Sequence, residues 1–231
     1  MNVAIIAAAG QGKRLGGKRA KQFLELAGIP IIIHTLKRFE QCADIQEILV
    51  VLPGADNTAS FLTLAAKYGL QRKLTRVVTG GATRAESVWR GLQAIRPATA
   101  EIVAVHDGVR PFVTPEEISR TVEAARTDGA AILTAPATDT IKEVENGQVR
   151  RTLARARLRH ALTPQCFRYA LLRRAYEEAG ELGAGITDDS ALVERLGAPI
   201  RIVEGDARNI KITRQSDIAL AEIILKEFED K

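Results

Sequence analysis

Six short runs of apolar residues, rich in β-branched types, punctuate the chain at 3–8, 48–52, 74–79, 102–106, 131–135 and 200–204. Runs that are apolar along their whole length, such as 48–52, call for strands buried on both faces. Amphipathic stretches at 30–42, 58–68, 84–95 and 114–127 fall between them. Strand and helix in alternation predict an α/β fold with a doubly wound, mostly parallel sheet. The helix at 114 has a defined start, because Thr114 can cap it, Pro115 suits its first position and Glu117 can complete a capping box.

One segment breaks the alternation. Residues 140–145 and 148–152 flank Asn146-Gly147, the pair best suited to the positive φ angles of a two-residue hairpin turn. This predicts a β-arm, about 138–158, inserted into a single domain that spans 1–231. A lone hairpin is marginal in water, so a second copy of the chain is an economical partner for it. Helical patterns follow at 167–179, 188–196 and 216–228.

Candidate chemistry starts where the first run ends. The segment Ala7-Ala8-Ala9-Gly10-Gln11-Gly12-Lys13-Arg14-Leu15 joins a buried strand to a glycine loop. Gly10 and Gly12 leave backbone N–H groups open to a phosphate, and Lys13, Arg14, Lys18, Arg19 and Lys21 supply positive charge. A dinucleotide fingerprint would need glycine where Leu15 stands. A Walker loop would need Ser or Thr after Gly12–Lys18, where Arg19 stands. A nucleoside triphosphate site of another kind remains.

Composition narrows the partners. The chain has 231 residues, 46% hydrophobic and 26% charged, which is ordinary for a globular protein, and no apolar run reaches the ~20 residues of a membrane span. The N-terminus reads as a strand and not as a signal peptide, so a cytoplasmic enzyme is expected. Cys42 and Cys166 have no CxxC spacing, and His34, His106 and His160 have no metal spacing. A net charge of +5 with only 4% aromatics suits small phosphorylated ligands better than nucleic acid.

In open α/β sheets ligands sit beyond the carboxyl ends of strands. Besides the opening loop, that rule selects Thr79-Gly80-Gly81-Ala82-Thr83-Arg84 with Ser87, then His106-Asp107-Gly108-Val109-Arg110-Pro111, and Asn209-Ile210-Lys211-Ile212-Thr213. Together with KQF at 21–23, DTIK at 139–142, LTPQ at 162–165 and ITDD at 186–189, these blocks resemble the 2-C-methyl-D-erythritol 4-phosphate cytidylyltransferase family, in order and over essentially the whole chain.

The resemblance implies a Rossmann-like nucleotidyltransferase that binds CTP through Ala8, Ala9, Gly10, Gly12, Gly81, Arg84, Ser87 and Asp107. It implies catalytic roles for Arg14, Lys21, Arg155 and Lys211, and contacts from Asp107, Arg110, Thr140, Arg155, Thr187 and Lys211 to methylerythritol phosphate. Thr140 and Arg155 would come from the arm of the neighbouring subunit of a homodimer. Magnesium is implied as cofactor, held largely by the triphosphate, with Asp107 as its protein contact. The arm departs from the family's pattern, reading Ala154-Arg155 and then Arg159 where Asp-Arg and a Trp are usual, so Arg157 and Arg159 stand as alternatives to Arg155. A cytidylyltransferase for ribitol 5-phosphate is the nearest alternative, since it would share the nucleotide half. The residues also have plainer uses: Ser87 can satisfy helix backbone, and Thr187 and Asp188 can cap and open a helix.

Overall fold

The computed structural model describes residues 1–10, 21–54, 58–183 and 185–229. Gly12, Lys13, Arg14, Lys18 and Arg19 of the opening loop lie outside the described residues.

Strand β1 (Asn2–Ala7) is fully enclosed, hydrogen-bonded in parallel to β4 (Glu47–Leu52) on one side and β6 (Ile102–Asp107) on the other. Between β1 and β4 come a 3-10 turn (Lys21–Phe23), a small hairpin of β2 (Glu25–Leu26) and β3 (Ile29–Pro30), and helix α1 (Ile31–Gln41). Helix α2 (Thr58–Lys67) leads to β5 (Leu74–Thr79), and α3 (Arg84–Ala94) returns the chain to β6. Helix α4 (Pro115–Asp128) opens with the expected capping box of Thr114 and Glu117 and delivers β7 (Ala130–Pro136).

The arm is a separate two-stranded sheet of β8 (Lys142–Glu145) and β9 (Gln148–Thr152). Asn146 and Gly147 carry φ values of 51° and 77°, as its turn requires. Next come a 3-10 turn (Arg155–Arg157), β10 (Arg159–Arg168), α5 (Tyr169–Glu178), α6 (Ser190–Arg195), β11 (Arg201–Glu204) and α7 (Gln215–Glu229).

The main sheet has seven strands in the order β11-β7-β10-β6-β1-β4-β5. Strand periodicity sorts its side chains to two faces. Ala4, Ile6, Val50 and Ala104 pack under α1, α2 and α4, whereas Val3, Ile5, Val51 and Val105 pack under α3, α5 and α6. A third cluster, around Phe112, Ile212, Ala221 and Ile224, fastens α7 beside the β2-β3 hairpin. The doubly wound architecture is therefore as expected.

One expectation needs correcting. The helical pattern at 167–179 begins two residues late, at Tyr169, because Phe167 and Arg168 end β10, a strand that the apolar runs do not reveal. It lies antiparallel between β6 and β7, with a register shift between Ala161 and Gln165. Pro164 sits inside that irregularity, where its missing N–H does not break a ladder.

Candidate active site

The strand order reverses at β1 and β6: the chain runs outward from β1 through β4 and β5, then crosses back to β6 on the other side of β1. Such a switch point separates the loops that leave the two strands and opens a crevice beyond their carboxyl ends. Here it is filled by a cavity of about 660 Å³ and a smaller one of about 220 Å³.

Backbone makes the floor of the larger cavity. Ala8 donates its N–H to the Val51 carbonyl at 2.9 Å, and its own carbonyl accepts from Nε2 of the buried Gln22 at 2.6 Å. Residues Ala8, Ala9 and Gly10 thereby continue past β1 as a fixed ledge facing Gly80 and Gly81. The approach is close enough to demand glycine: a Cβ at Gly80 would lie 2.3 Å from Ala9 Cβ. Lys21 lines this cavity, and Gly10 stands so near it that an added Cβ would be 3.6 Å from Lys21 Cε. Ser87, at the start of α3, accepts from the Gly81 N–H at 3.0 Å and donates to the Thr83 carbonyl at 2.8 Å. It thus has the plainer backbone role while also lining the cavity.

Asp107, the last residue of β6, stands between the two cavities and lines both. Its carboxylate is surrounded by cations: Arg84 Nε at 3.0 Å, Lys211 Nζ at 2.8 Å and Arg110 Nε at 3.6 Å. Burial opposes its ionisation, but Arg84, Lys211 and Arg110 outweigh burial and hold the carboxyl well below the usual range. Arg84 is itself bridged to a second buried carboxylate, Asp189, at 2.8 Å. Those two carboxylates overcome the burial of its guanidinium and raise its pKa.

The smaller cavity lies between this cluster and β10. Arg110, Thr163, Gln165, Thr187 and Asp188 line it along with the shared Arg84, Asp107 and Lys211. His106 braces it from beneath. Burial lowers the His106 pKa to about 4, so the ring is neutral near pH 7, with Nε2 donating to the Arg110 carbonyl at 3.0 Å. Its Nδ1 then accepts from the Thr163 hydroxyl at 3.0 Å, and that hydroxyl accepts from the Asp107 N–H at 3.3 Å. Asn209, fully buried, donates to the Thr163 carbonyl and accepts from Arg110 through its own carbonyl, which fixes the segment carrying Lys211.

Most expected site residues meet at this crevice. Ala8, Ala9, Gly10, Lys21, Gly81, Arg84, Ser87, Asp107 and Lys211 line the larger cavity, and Arg110 and Thr187 the smaller. Thr140 and Arg155 line neither; both are exposed at the arm, where Arg155 donates to the Thr138 carbonyl at 2.8 Å. Gly12 and Arg14 fall among the residues not described. Asp188, one residue before the N-cap of α6, accepts from the Ala191 N–H in its first turn at 3.1 Å, and it faces the smaller cavity as well.

Sequence reasoning assigns no role to Gln165, Tyr176 or Asp189, although the structure builds the site on them. Asp189 and Gln165 sit inside the ITDD and LTPQ blocks, which was the available signal. Tyr176 gives none. The expected magnesium contact at Asp107 meets a carboxylate already held by three cations, and no group of three or more His, Cys, Asp or Glu that could hold a metal occurs among the described residues. Among the described residues, the side chains alone therefore make no three-ligand metal cluster.

The comparison with known proteins decides the family. The sequence profile of 2-C-methyl-D-erythritol 4-phosphate cytidylyltransferase matches residues 2–227. The chain belongs to this family. Relatives bearing that name include proteins from Geobacillus thermodenitrificans, 46% identical over 225 residues (96% of each chain), and Pelotomaculum thermopropionicum, 43% identical over 225 residues (96% of this chain, 93% of the other). Among solved structures, 4-diphosphocytidyl-2C-methyl-D-erythritol synthase from Anaerococcus prevotii is similar with a TM-score of 0.85 at 33% identity, covering 97% of this chain and 96% of the other. The cytidylyltransferase from Thermus thermophilus has a TM-score of 0.77 at 36% identity, covering 96% and 98%. These relatives do not favour the ribitol phosphate alternative.

Proposed function

We propose that the chain transfers a cytidylyl group from CTP to 2-C-methyl-D-erythritol 4-phosphate, giving 4-diphosphocytidyl-2-C-methyl-D-erythritol and pyrophosphate for isoprenoid precursor synthesis. Family membership supports the reaction. The observation that carries the mechanism is the cationic border around Asp107, where Arg84 and Lys211 are shared between a nucleotide-sized cavity and a smaller one and Arg110 faces the smaller.

In this reading the cytosine lies against the Ala8–Gly10 ledge and Gly81, with Lys21 toward the triphosphate. The acceptor phosphate occupies the smaller cavity, near Arg110, Thr187 and Lys211. Its oxygen is already anionic at neutral pH, so no strong base is needed to make a nucleophile. That oxygen forms a bond to the α-phosphorus as the bond from the α-phosphorus to the bridging oxygen of pyrophosphate breaks. The main barrier is the approach of one polyanion to another, and fixed cations at their meeting point lower it. Asp107 prevents those cations from repelling one another while the site is empty. Magnesium enters as part of the nucleotide substrate, where it neutralises charge on the triphosphate.

The arm completes the proposal. Val144 and Val149 pair across the hairpin and are 59% and 62% exposed, an apolar contact left open to water. A homodimer that exchanges arms would cover them and bring Thr140 and Arg155 to a neighbour's acceptor cavity. The compartment assigned with this reading is the cytoplasm.

Pyrophosphate release from CTP, measured with methylerythritol phosphate and ribitol 5-phosphate side by side, tests the reading. Turnover should favour methylerythritol phosphate, and faster turnover with ribitol 5-phosphate would overturn the choice of acceptor.

A further inference from the structure

Asp189 is fully buried and is not among the residues that line either cavity. One of its oxygens accepts from the Tyr176 hydroxyl at 2.6 Å, and the other receives Arg84 Nη1 at 2.8 Å. Its backbone N–H donates to Gln165 Oε1 at 3.0 Å, which ties the 188–190 turn to β10. Tyr176 is held in turn by Trp89, stacked on it with ring centres 5.6 Å apart and planes within 8°. A line of contacts therefore runs from α5 through Asp189 and Arg84 to Asp107, and from there to Lys211 and Arg110.

We propose that Asp189, anchored by Tyr176 and Gln165, is a positioning residue that sets Arg84 against Asp107 and thereby places Arg110 and Lys211 for the acceptor phosphate. This rests on the cytidylyl-transfer reading for what occupies the smaller cavity. Asp107 and Asp189 compete for Arg84. Arg84 divides its charge between two carboxylates, leaving the second oxygen of Asp107 for Lys211 and Arg110. Without the charge of Asp189, Arg84 has only Asp107 to neutralise it, and Asp107 loses part of its hold on the other two cations. The Ala8 backbone of the nucleotide floor is spared, because strand backbone and the Gln22 bond hold it, whereas Arg84, Asp107 and Lys211 are shared with the acceptor side.

The test compares the full-length protein with Asp189→Asn, which keeps the shape of the side chain, and Tyr176→Phe, which removes one hydroxyl and leaves every charge in place. For Asp189→Asn, kcat/KM for methylerythritol phosphate should fall about 100-fold, as when one preorganised contact is lost. The KM for CTP should rise by clearly less than that for methylerythritol phosphate, because the Ala8–Gly10 floor does not depend on Asp189 although Arg84, Asp107 and Lys211 also border the larger cavity, and Tyr176→Phe should show the same selectivity with a smaller loss. Trp89, the single tryptophan, should keep its emission in both variants, showing that the α3 and α5 packing is intact. Inorganic phosphate, titrated by calorimetry, needs no turnover and should bind Asp189→Asn about tenfold more weakly.

Unchanged acceptor kinetics and phosphate affinity would overturn the proposal. So would equal losses toward CTP and acceptor, the mark of general damage. Should Asp189→Asn fail to fold, Tyr176→Phe decides: an acceptor-selective loss supports the assignment and unchanged kinetics refutes it. A wild-type protein that does not turn over would refute the reaction, leaving the phosphate titration to judge the positioning role.

Discussion

Replacing Asp107 by Asn removes the charge that holds the active-site cations together while keeping the side chain's size. In the folded protein three cationic groups lie 2.8, 3.0 and 3.6 Å from its carboxylate oxygens. Breaking a buried pair by deleting one partner costs ~3–5 kcal/mol, and the partial exposure of Lys211 and Arg84, 35% and 25%, argues for the lower end. We therefore expect a loss of about 3 kcal/mol at pH 7.

The pH dependence separates this cause from loss of packing. The carboxyl's pKa is depressed on folding, so its contribution is complete above the unfolded value of about 3.9 and is lost as pH falls toward the folded value. With Asp107 still ionised in the folded protein, the gap between wild type and variant should narrow by about 1.2 kcal/mol from pH 5 to pH 3. Urea unfolding followed through the emission of Trp89 measures both quantities. A gap below about 1 kcal/mol at pH 7, or one that does not narrow in acid, would refute the ion-cluster argument.

Three further outcomes follow from the same geometry. Lys21→Ala should fold normally and lose about 100-fold in turnover, read from pyrophosphate release against a matched unfolding curve; near-normal turnover would remove Lys21 from the mechanism. Gly80→Ala would force a Cβ to within 2.3 Å of Ala9 Cβ and 2.8 Å of Ser87 Oγ. It should cost ~1–3 kcal/mol in thermal or urea unfolding and raise the KM for CTP, whereas full stability would show that the ledge can yield. In mixed dimers of Lys21→Ala and Arg155→Ala chains, one working site should return per dimer if Arg155 acts across subunits; no recovery would mean that each chain uses its own arm.

How much of this was legible in the sequence depended on range. The enclosed strands announced themselves because runs such as 48–52 are apolar throughout, and the 114 helix because its cap, proline and acid lie within four residues. Asp107 could be located because a polar residue ending a buried strand at a switch point has few other reasons to be there. Strand β10 was hidden, since Pro164 and its neighbours lack the composition of a sheet interior, and only the register shift makes room for them. The pairing of Arg84 with Asp189 joins residues 105 positions apart, a contact that no local period reveals. Tyr176 was unreadable for a related reason: on an amphipathic helix its ring serves the core, and its hydroxyl finds Asp189 only when α5 and α6 pack together.

In the proposed reaction an acceptor phosphate oxygen attacks the α-phosphorus of CTP at the Asp107 border. Its most direct test follows label from CTP carrying radioactive phosphorus at the α or the γ position, with methylerythritol phosphate as acceptor. The α-label should appear in 4-diphosphocytidyl-2-C-methyl-D-erythritol and the γ-label only in pyrophosphate. Label from the γ position in the polyol product, or α-label released as CMP without the acceptor gaining it, would contradict it.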